Sequence, residues 1–207
     1  MERRTEKKHT FADVITSEEY ALLLTGEVQR AIAAARDRDP VEVAMDRTVP
    51  HARLVATQVK YLARAVQKLP SYAAAQCILP PLAFEQASSE ACAAHKRIAG
   101  DTVLDLTCGL GVDAFFLSRR FRRVVTLERS EVLARAAAEN FSRLGATNIE
   151  VVNTSAEEYL RQEDLHFDWI YADPDRRSAE GRKLVRLEDC SPDIIALKPL
   201  LSRISER

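Results

Sequence analysis

The chain has 207 residues, 46 % of them hydrophobic, and its 30 Lys and Arg against 31 Asp and Glu leave a formal net charge of -1. This is enough apolar material for a core, which excludes a disordered chain, and the near-zero charge excludes a global pull toward nucleic acid or membrane. Four scattered cysteines with no C-x-x-C pair, four histidines without ligand spacing and no long apolar run make a reduced, soluble, cytoplasmic protein the expectation, with no membrane span and no metal site local in sequence.

Up to about residue 99 the pattern is helical. Ser17, Glu18 and Glu19 before YALLL read as a helix start and Gly26 as its stop. Asp39 before Pro40 reads as a cap followed by proline at the first helical position. In HARLVATQVKYLARAVQKL, Leu54, Val55, Val59, Leu62, Ala63 and Val66 recur at three- and four-residue steps and predict an amphipathic helix ended by Pro70, with the stripe as core. Pro80-Pro81 then precedes LAFEQASSEACAAHKRIAG, expected as one further helix closing at Gly100.

After Gly100 the period changes. Residues 102–106 (TVLDL), 123–127 (RVVTL), 149–152 (IEVV) and 167–172 (FDWIYA) are short β-branched or aromatic runs, predicted as strands. Helical stretches separate them, the clearest being SEVLARAAAENFSRLG with Ser130 as cap and Gly145 at its end. The alternation predicts an α/β fold: a Rossmann-like parallel sheet covered on both faces, over 100–207, preceded by a helical N-terminal domain over 1–99.

In such a sheet ligands bind beyond the carboxyl ends of the strands, where the strand order reverses. LDLTCGLGVD places Asp105 near the end of the first strand, Gly109 and Gly111 in the turn and a helix start near Asp113. Glu128 follows about 20 residues after the loop, where an acid can accept hydrogen bonds from both hydroxyls of a ribose. The relaxed G-x-G-x-x-A form keeps a dinucleotide open, and with it an NAD(P)-dependent oxidoreductase. Asp105 argues against it, since a carboxylate repels a pyrophosphate but accepts from a cationic amino group. A cofactor with ribose, adenine and an amino-acid tail is S-adenosylmethionine.

These motifs, DLTCGLGVD, TLER and YADPDRR in that order, resemble those of the class I S-adenosylmethionine-dependent methyltransferases. With EQASSEACAAHKR, NFSRLGATNIEVV and EDCSPDI added, the chain from about residue 70 onward is similar to bacterial methyltransferases that carry a THUMP-like domain after the catalytic one. The resemblance implies RNA as substrate. It also implies that Asp105 faces the methionine amino group, that Gly109 and Gly111 line the tail, that Glu128 binds the ribose and that Ser155 and Ala156 border the adenine. Thr107, Asp113 and Arg129 belong to the same cofactor-binding set. Asp173 and the Pro174 carbonyl would orient an acceptor amine, and Arg176, with Arg177, would hold a phosphate. Two departures stand out: a serine at 155 where many relatives have aspartate, and Asp173-Pro174-Asp175-Arg176-Arg177 where amino-methylating enzymes often have Asp-Pro-Pro and an aromatic residue.

Other features have two readings. Arg119, Arg120, Arg122 and Arg123 form either a solvated helix end or a patch for RNA phosphates. Cys108, with no histidine near it in sequence, reads as a small loop filler rather than a nucleophile. Ser88, Ser89 and Glu90 read either as a cover for the cleft or as a helix cap. Class I methyltransferases have seven strands and this chain supplies four, so the expectation is a fragment of a longer protein, or one completed by a partner or by the THUMP-like region. A non-catalytic adaptor on the same sheet is the remaining alternative.

Overall fold

A computed structural model of the chain describes residues 15–175 and 186–205. The first helix, α1 (Ser17–Leu23), is capped one residue earlier than the sequence suggests: Thr16 Oγ1 accepts from the Glu19 N–H while Glu19 accepts from the Thr16 N–H. Gly26 does not stop this helix. It is the first residue of α2 (Gly26–Ala34), capped by Thr25. Asp39 caps α3 (Pro40–Met45) as predicted, accepting from Val41 and Glu42.

The long amphipathic helix is α4 (Ala52–Lys68), which buries Val55, Ala56, Gln58, Val59, Tyr61 and Ala65. The predicted stripe runs too far: Ala63 and Val66 are exposed, Val66 by 58 %. Ile32 and Arg36, at the end of α2 and just past it, border the same open groove as Val66, so α2 stops before it covers that turn. Pro70 ends α4 and opens α5 (Pro70–Ala74). The stretch expected as one helix is two, α6 (Pro81–Gln86) and α7 (Glu90–Ala94), and Gly100 opens a strand rather than closing a helix. The break has a cause: Ser89 turns extended and caps α7 through Cys92 N–H, while Glu90 is drawn inward to accept from Ser71 N–H and Oγ at 2.8 and 2.9 Å.

From there β and α units alternate: β1 (Gly100–Asp105), α8 (Val112–Leu117), β2 (Phe121–Leu127), α9 (Glu131–Arg143), β3 (Ile149–Val152), α10 (Ala156–Tyr159), β4 (Trp169–Tyr171) and α11 (Ile194–Ile204). The four strands are parallel in the order β3-β2-β1-β4, a Rossmann-like sheet of the predicted class, with β4 shorter than expected. Asp193 caps α11, and Ser191, two residues earlier, pairs with Asp175 in an antiparallel bridge.

Side chains alternate across the strands. Val103 and Val124 face one side, where they join Tyr61, Leu69, Tyr72 and Phe84 of the helical region and Phe115 and Phe141 of α8 and α9 in one apolar cluster. Leu104, Val125 and Leu127 face the other, with Tyr159, Leu160, Phe167, Leu197 and Ile204. A third cluster, around Leu23, Val28, Val43, Val55 and Val59, reaches Ala136 of α9. The helical region therefore packs on the sheet through a shared core.

Two buried amides fix that packing. Gln58 of α4 accepts from Leu79 N–H at 3.0 Å and donates to Leu79 C=O at 3.2 Å. Asn140 of α9 does the same to Ile78, at 2.7 and 2.9 Å. A buried segment with unpaired backbone groups is costly, and the two side chains satisfy it from opposite helices. Asn140→Leu removes both partners of Ile78, and urea unfolding is expected to show a loss of about 2 kcal/mol.

Candidate functional site

The chain leaves β1 toward β2 on one side while β4 lies on the other, so the strand order reverses between β1 and β4. A crevice beyond the carboxyl ends of the strands follows from that topology. Its walls are the loop 106–111, Glu128 at the end of β2, Thr154 and Ser155 after β3, and Asp173 and Pro174 after β4.

The two loop glycines have different duties. Gly109 has φ +54°, and a Cβ there would meet nothing within 4 Å. The loop backbone at this point faces open space that a ligand can approach. Gly111 has φ +84°, and a Cβ would lie 2.5 Å from Phe141 Cζ. It allows α8 and α9 to pack closely, so of the two glycines predicted to line a ligand only Gly109 presents its open side to space.

Asp105 is fully buried and is held entirely by the protein. Oδ2 accepts from Thr126 Oγ1 at 2.8 Å, and Oδ1 accepts from Thr107 N–H at 2.9 Å and Thr107 Oγ1 at 3.2 Å. Burial pushes its carboxyl up from the ordinary 3.8 to about 6, against the pull of those three donors. Thr107 Oγ1 in turn accepts from Asp173 N–H at 2.9 Å. Asp105 and its near neighbour Thr107 are thus joined to Asp173, 66 residues beyond Thr107, in one chain of hydrogen bonds.

Glu128 is partly buried and supports the loop. Oε2 accepts from Gly109 N–H at 3.0 Å and Oε1 from Ser130 N–H at 2.8 Å. Burial raises its carboxyl while those two amides pull it back. A carboxylate offers about four acceptor positions, so the backbone amides that hold Glu128 leave acceptor capacity for a further donor such as a hydroxyl. The open face at Gly109 and the acid beneath it suit a nucleoside-bearing group. Ser155 has a local duty, accepting from Glu158 N–H at 3.1 Å as the cap of α10, and the Ala156 side chain is buried in the cluster under the sheet. Arg129 is exposed and donates to Ser191 Oγ at 3.0 Å, closing the side of the crevice where Ser191 pairs with Asp175.

Asp113, in the first turn of α8, belongs to a polar knot that sequence reasoning did not assemble. Lys96, between α7 and β1, pairs with its Oδ1 at 2.5 Å, and Ser88 Oγ and Tyr171 Oη donate to its Oδ2 at 3.2 Å each. Lys96 also bonds the Tyr171 hydroxyl and lies 4.7 Å from the ring centroid. Burial, reinforced by the Asp113 charge, pushes the phenol up and keeps it protonated. Of the trio Ser88, Ser89 and Glu90, Ser88 thus reaches the site, while the other two are structural. Lys96 and Tyr171 stand inside the stretches EQASSEACAAHKR and YADPDRR, but neither side chain was given a role there; the position of Tyr171 two residues before Asp173 was the signal available.

Asp173 is exposed and Pro174 buried, side by side after β4; Arg176 and Arg177 lie outside the described residues. The basic run is occupied elsewhere. Arg119 stacks on Phe115 and Phe116, Arg120 donates to the Ala94 and Lys96 carbonyls, Arg122 faces Asp101 at 3.7 Å, and Arg123 pairs with Glu150 at 2.6 Å. These contacts gather where β2 begins, at the opposite end of the sheet from the crevice. Cys108 is buried with its thiol pushed well up by desolvation, which suits a loop filler.

Residues 103–178 match the family model described as a methyltransferase domain. Over 81 residues the chain is 37 % identical to the ribosomal RNA small subunit methyltransferase J of Francisella tularensis subsp. novicida, covering 35 % of this chain and 34 % of that protein. The enzyme of the same name from Francisella philomiragia is 32 % identical over 100 residues, 42 % of each chain. A crystal structure of a Porphyromonas gingivalis W83 protein regarded as a methyltransferase superposes with a TM-score of 0.73 at 27 % identity, over 93 % of this chain and 48 % of that one. The chain spans about a third to a half of the length of these relatives.

Gly111→Ala is expected to cost about 3 kcal/mol in urea unfolding, from left-handed strain together with overlap with Phe141. Gly109→Ala carries the strain alone, about 1 kcal/mol. A carboxyl raised in the folded state is held protonated more firmly there than in the unfolded chain. Asp105 therefore contributes stability at low pH that is lost as pH rises from about 4 to 6. Unfolding measured across that window is expected to show a decline on the order of 3 kcal/mol that Asp105→Asn flattens.

Proposed function

We propose that the protein, whose residues 103–178 match the model of a methyltransferase domain, is an S-adenosylmethionine-dependent methyltransferase acting on RNA. The observation that carries this reading is the pairing of Gly109, open toward the crevice, with Glu128 directly beneath it. Glu128 accepts the ribose hydroxyls, and the loop backbone at Gly109 lies along the amino-acid end. The buried carboxylate of Asp105 acts on that end through Thr107 rather than by its own contact. Thr154 and Ser155 border the base. RNA as acceptor is supported by the ribosomal RNA enzymes that share the central segment.

The cofactor supplies a methyl group already activated on a sulfonium, so the protein has mainly to align. Holding two reacting atoms in line lowers a barrier by roughly 7–11 kcal/mol at best, with no acid or base of unusual strength required. Asp173, exposed beyond β4, and the Pro174 carbonyl accept the hydrogens of an acceptor amine and turn its lone pair toward the crevice. Arg176 is read as a phosphate contact. The β4 edge is read as the place where further sheet, from a longer chain or a partner such as a THUMP-like region, continues the fold.

Titration calorimetry is expected to show binding of S-adenosylhomocysteine and none of NAD, a weakening of at least about tenfold in Glu128→Ala by loss of a charged hydrogen-bond acceptor, and little change in Ser155→Ala. Preference for NAD would replace this reading with an oxidoreductase. With binding established, transfer of a labelled methyl group to unmethylated small-subunit ribosomal RNA is expected, and transfer abolished by Asp173→Ala. Transfer to protein but not to RNA would remove the substrate assignment.

A further inference from the structure

We propose that Thr107 is a positioning residue that couples the cofactor half of the crevice to the acceptor half, by carrying the buried Asp105 carboxylate to the backbone of Asp173 through one hydroxyl. The proposal rests on the methyltransferase reading for its functional meaning, but the link itself stands on geometry. A hydroxyl has one proton to give. That of Thr107 goes to Asp105 Oδ1, at 3.2 Å, and the oxygen is left to accept from Asp173 N–H at 2.9 Å. The Thr107 N–H reaches the same carboxylate oxygen at 2.9 Å, and Thr126 Oγ1 holds the other oxygen at 2.8 Å. Neither Asp105 nor Thr126 has any exposed surface, so the anchor is rigid and dry.

The position of this link gives it consequence. The β1–β4 pairing runs out with Leu106 N–H donating to Tyr171 C=O at 2.9 Å, and the next backbone tie on this segment is the bridge between Asp175 and Ser191. Between them, Pro174 has no N–H to give, and the Asp173 amide is fastened by the Thr107 hydroxyl. Two residues along the same loop, Gly109 N–H is held by Glu128 at 3.0 Å. A ligand that draws on Glu128 and the loop backbone therefore acts on the segment that fixes Asp173. In a reaction governed by alignment, a displacement near 1 Å costs roughly a hundredfold in rate.

The decisive measurement is amide hydrogen exchange by NMR on the chain and on Thr107→Val and Thr107→Ser. Valine keeps the shape and removes the hydroxyl; serine keeps the hydroxyl. Exchange at Asp173 is expected to accelerate at least tenfold in Thr107→Val, with Leu104 and Val125 in the sheet unchanged, and to stay within threefold of the original in Thr107→Ser. S-adenosylhomocysteine is expected to slow Asp173 exchange in the original chain and the serine variant, but not in the valine variant. Unchanged Asp173 exchange in Thr107→Val, or equal protection by ligand in all three, overturns the proposal. If Thr107→Val does not fold, the unaltered chain decides: a nuclear Overhauser contact between the Asp173 amide proton and the Thr107 β proton is expected, and its absence counts against the link. Failure of the unaltered chain to bind S-adenosylhomocysteine by calorimetry would overturn the functional reading separately, while ligand-free exchange would still decide the link. On RNA substrate, Thr107→Val is expected to lower kcat ten- to hundredfold, leave the cofactor KM within threefold, and be rescued by Thr107→Ser. A change in cofactor KM alone would make Thr107 a cofactor contact instead.

Discussion

A carboxylate without exposed surface sits at the end of an inner strand of the sheet, and the arrangement of the crevice hangs from it. Asp105 draws Thr126 from β2 and the backbone and hydroxyl of Thr107 from the loop, and through Thr107 it reaches the turn after β4. Burying an acid is expensive unless its lone pairs are used, and three donors from two segments use them here. The residual cost is visible in the carboxyl being pushed up to about 6. A threonine pair and an acid thus do what an apolar contact cannot: they fix direction as well as distance between three strand ends.

Around that anchor the loop splits its tasks between two glycines that look equivalent on paper. Gly111 lets α8 sit against Phe141, which belongs to the core shared by the sheet and the helical region; Gly109 leaves the backbone bare on the open side. The helical region reaches the site by the same logic of packing followed by polar capture. Once Tyr61, Leu69 and Tyr72 join the sheet core, Ser88 and Lys96 are carried to Asp113 and Tyr171. The Gln58 and Asn140 side chains hold the backbone of 78–79 between α4 and α9, so the register of the helices on the sheet is specific rather than approximate.

For group transfer from an activated donor, such a framework supplies what matters. Its polar groups are held by one another before any ligand arrives, and a site that is already ordered loses less on binding. Among the described residues the crevice is built from strand ends, which the sheet holds in place, and from the short turns that follow them. The cationic side chains at the far end of the sheet are engaged with carbonyls, carboxylates and rings.

Much of this was legible in the residue order because it is local. The change from helical to alternating period at Gly100 marks the sheet, and the order of runs and turns puts the glycine loop, Glu128 and the Asp173-Pro174 turn just beyond strand ends, since strand ends and tight turns are dictated by neighbours a few residues away. Local rules also misplaced what tertiary contacts decide. Gly26 starts a helix because Thr25 caps it, the stretch before Gly100 breaks because Glu90 turns inward to Ser71, and Val66 is left in the open because α2 ends too soon. The sequence by itself determined the class of fold and the kinds of chemical group at the crevice. Only the tertiary structure decided that Asp105 is walled in, that Thr107 joins it to Asp173, and that Lys96 and Tyr171 close on Asp113. Those contacts bring together residues separated by as many as 75 positions, and no periodicity reaches that far.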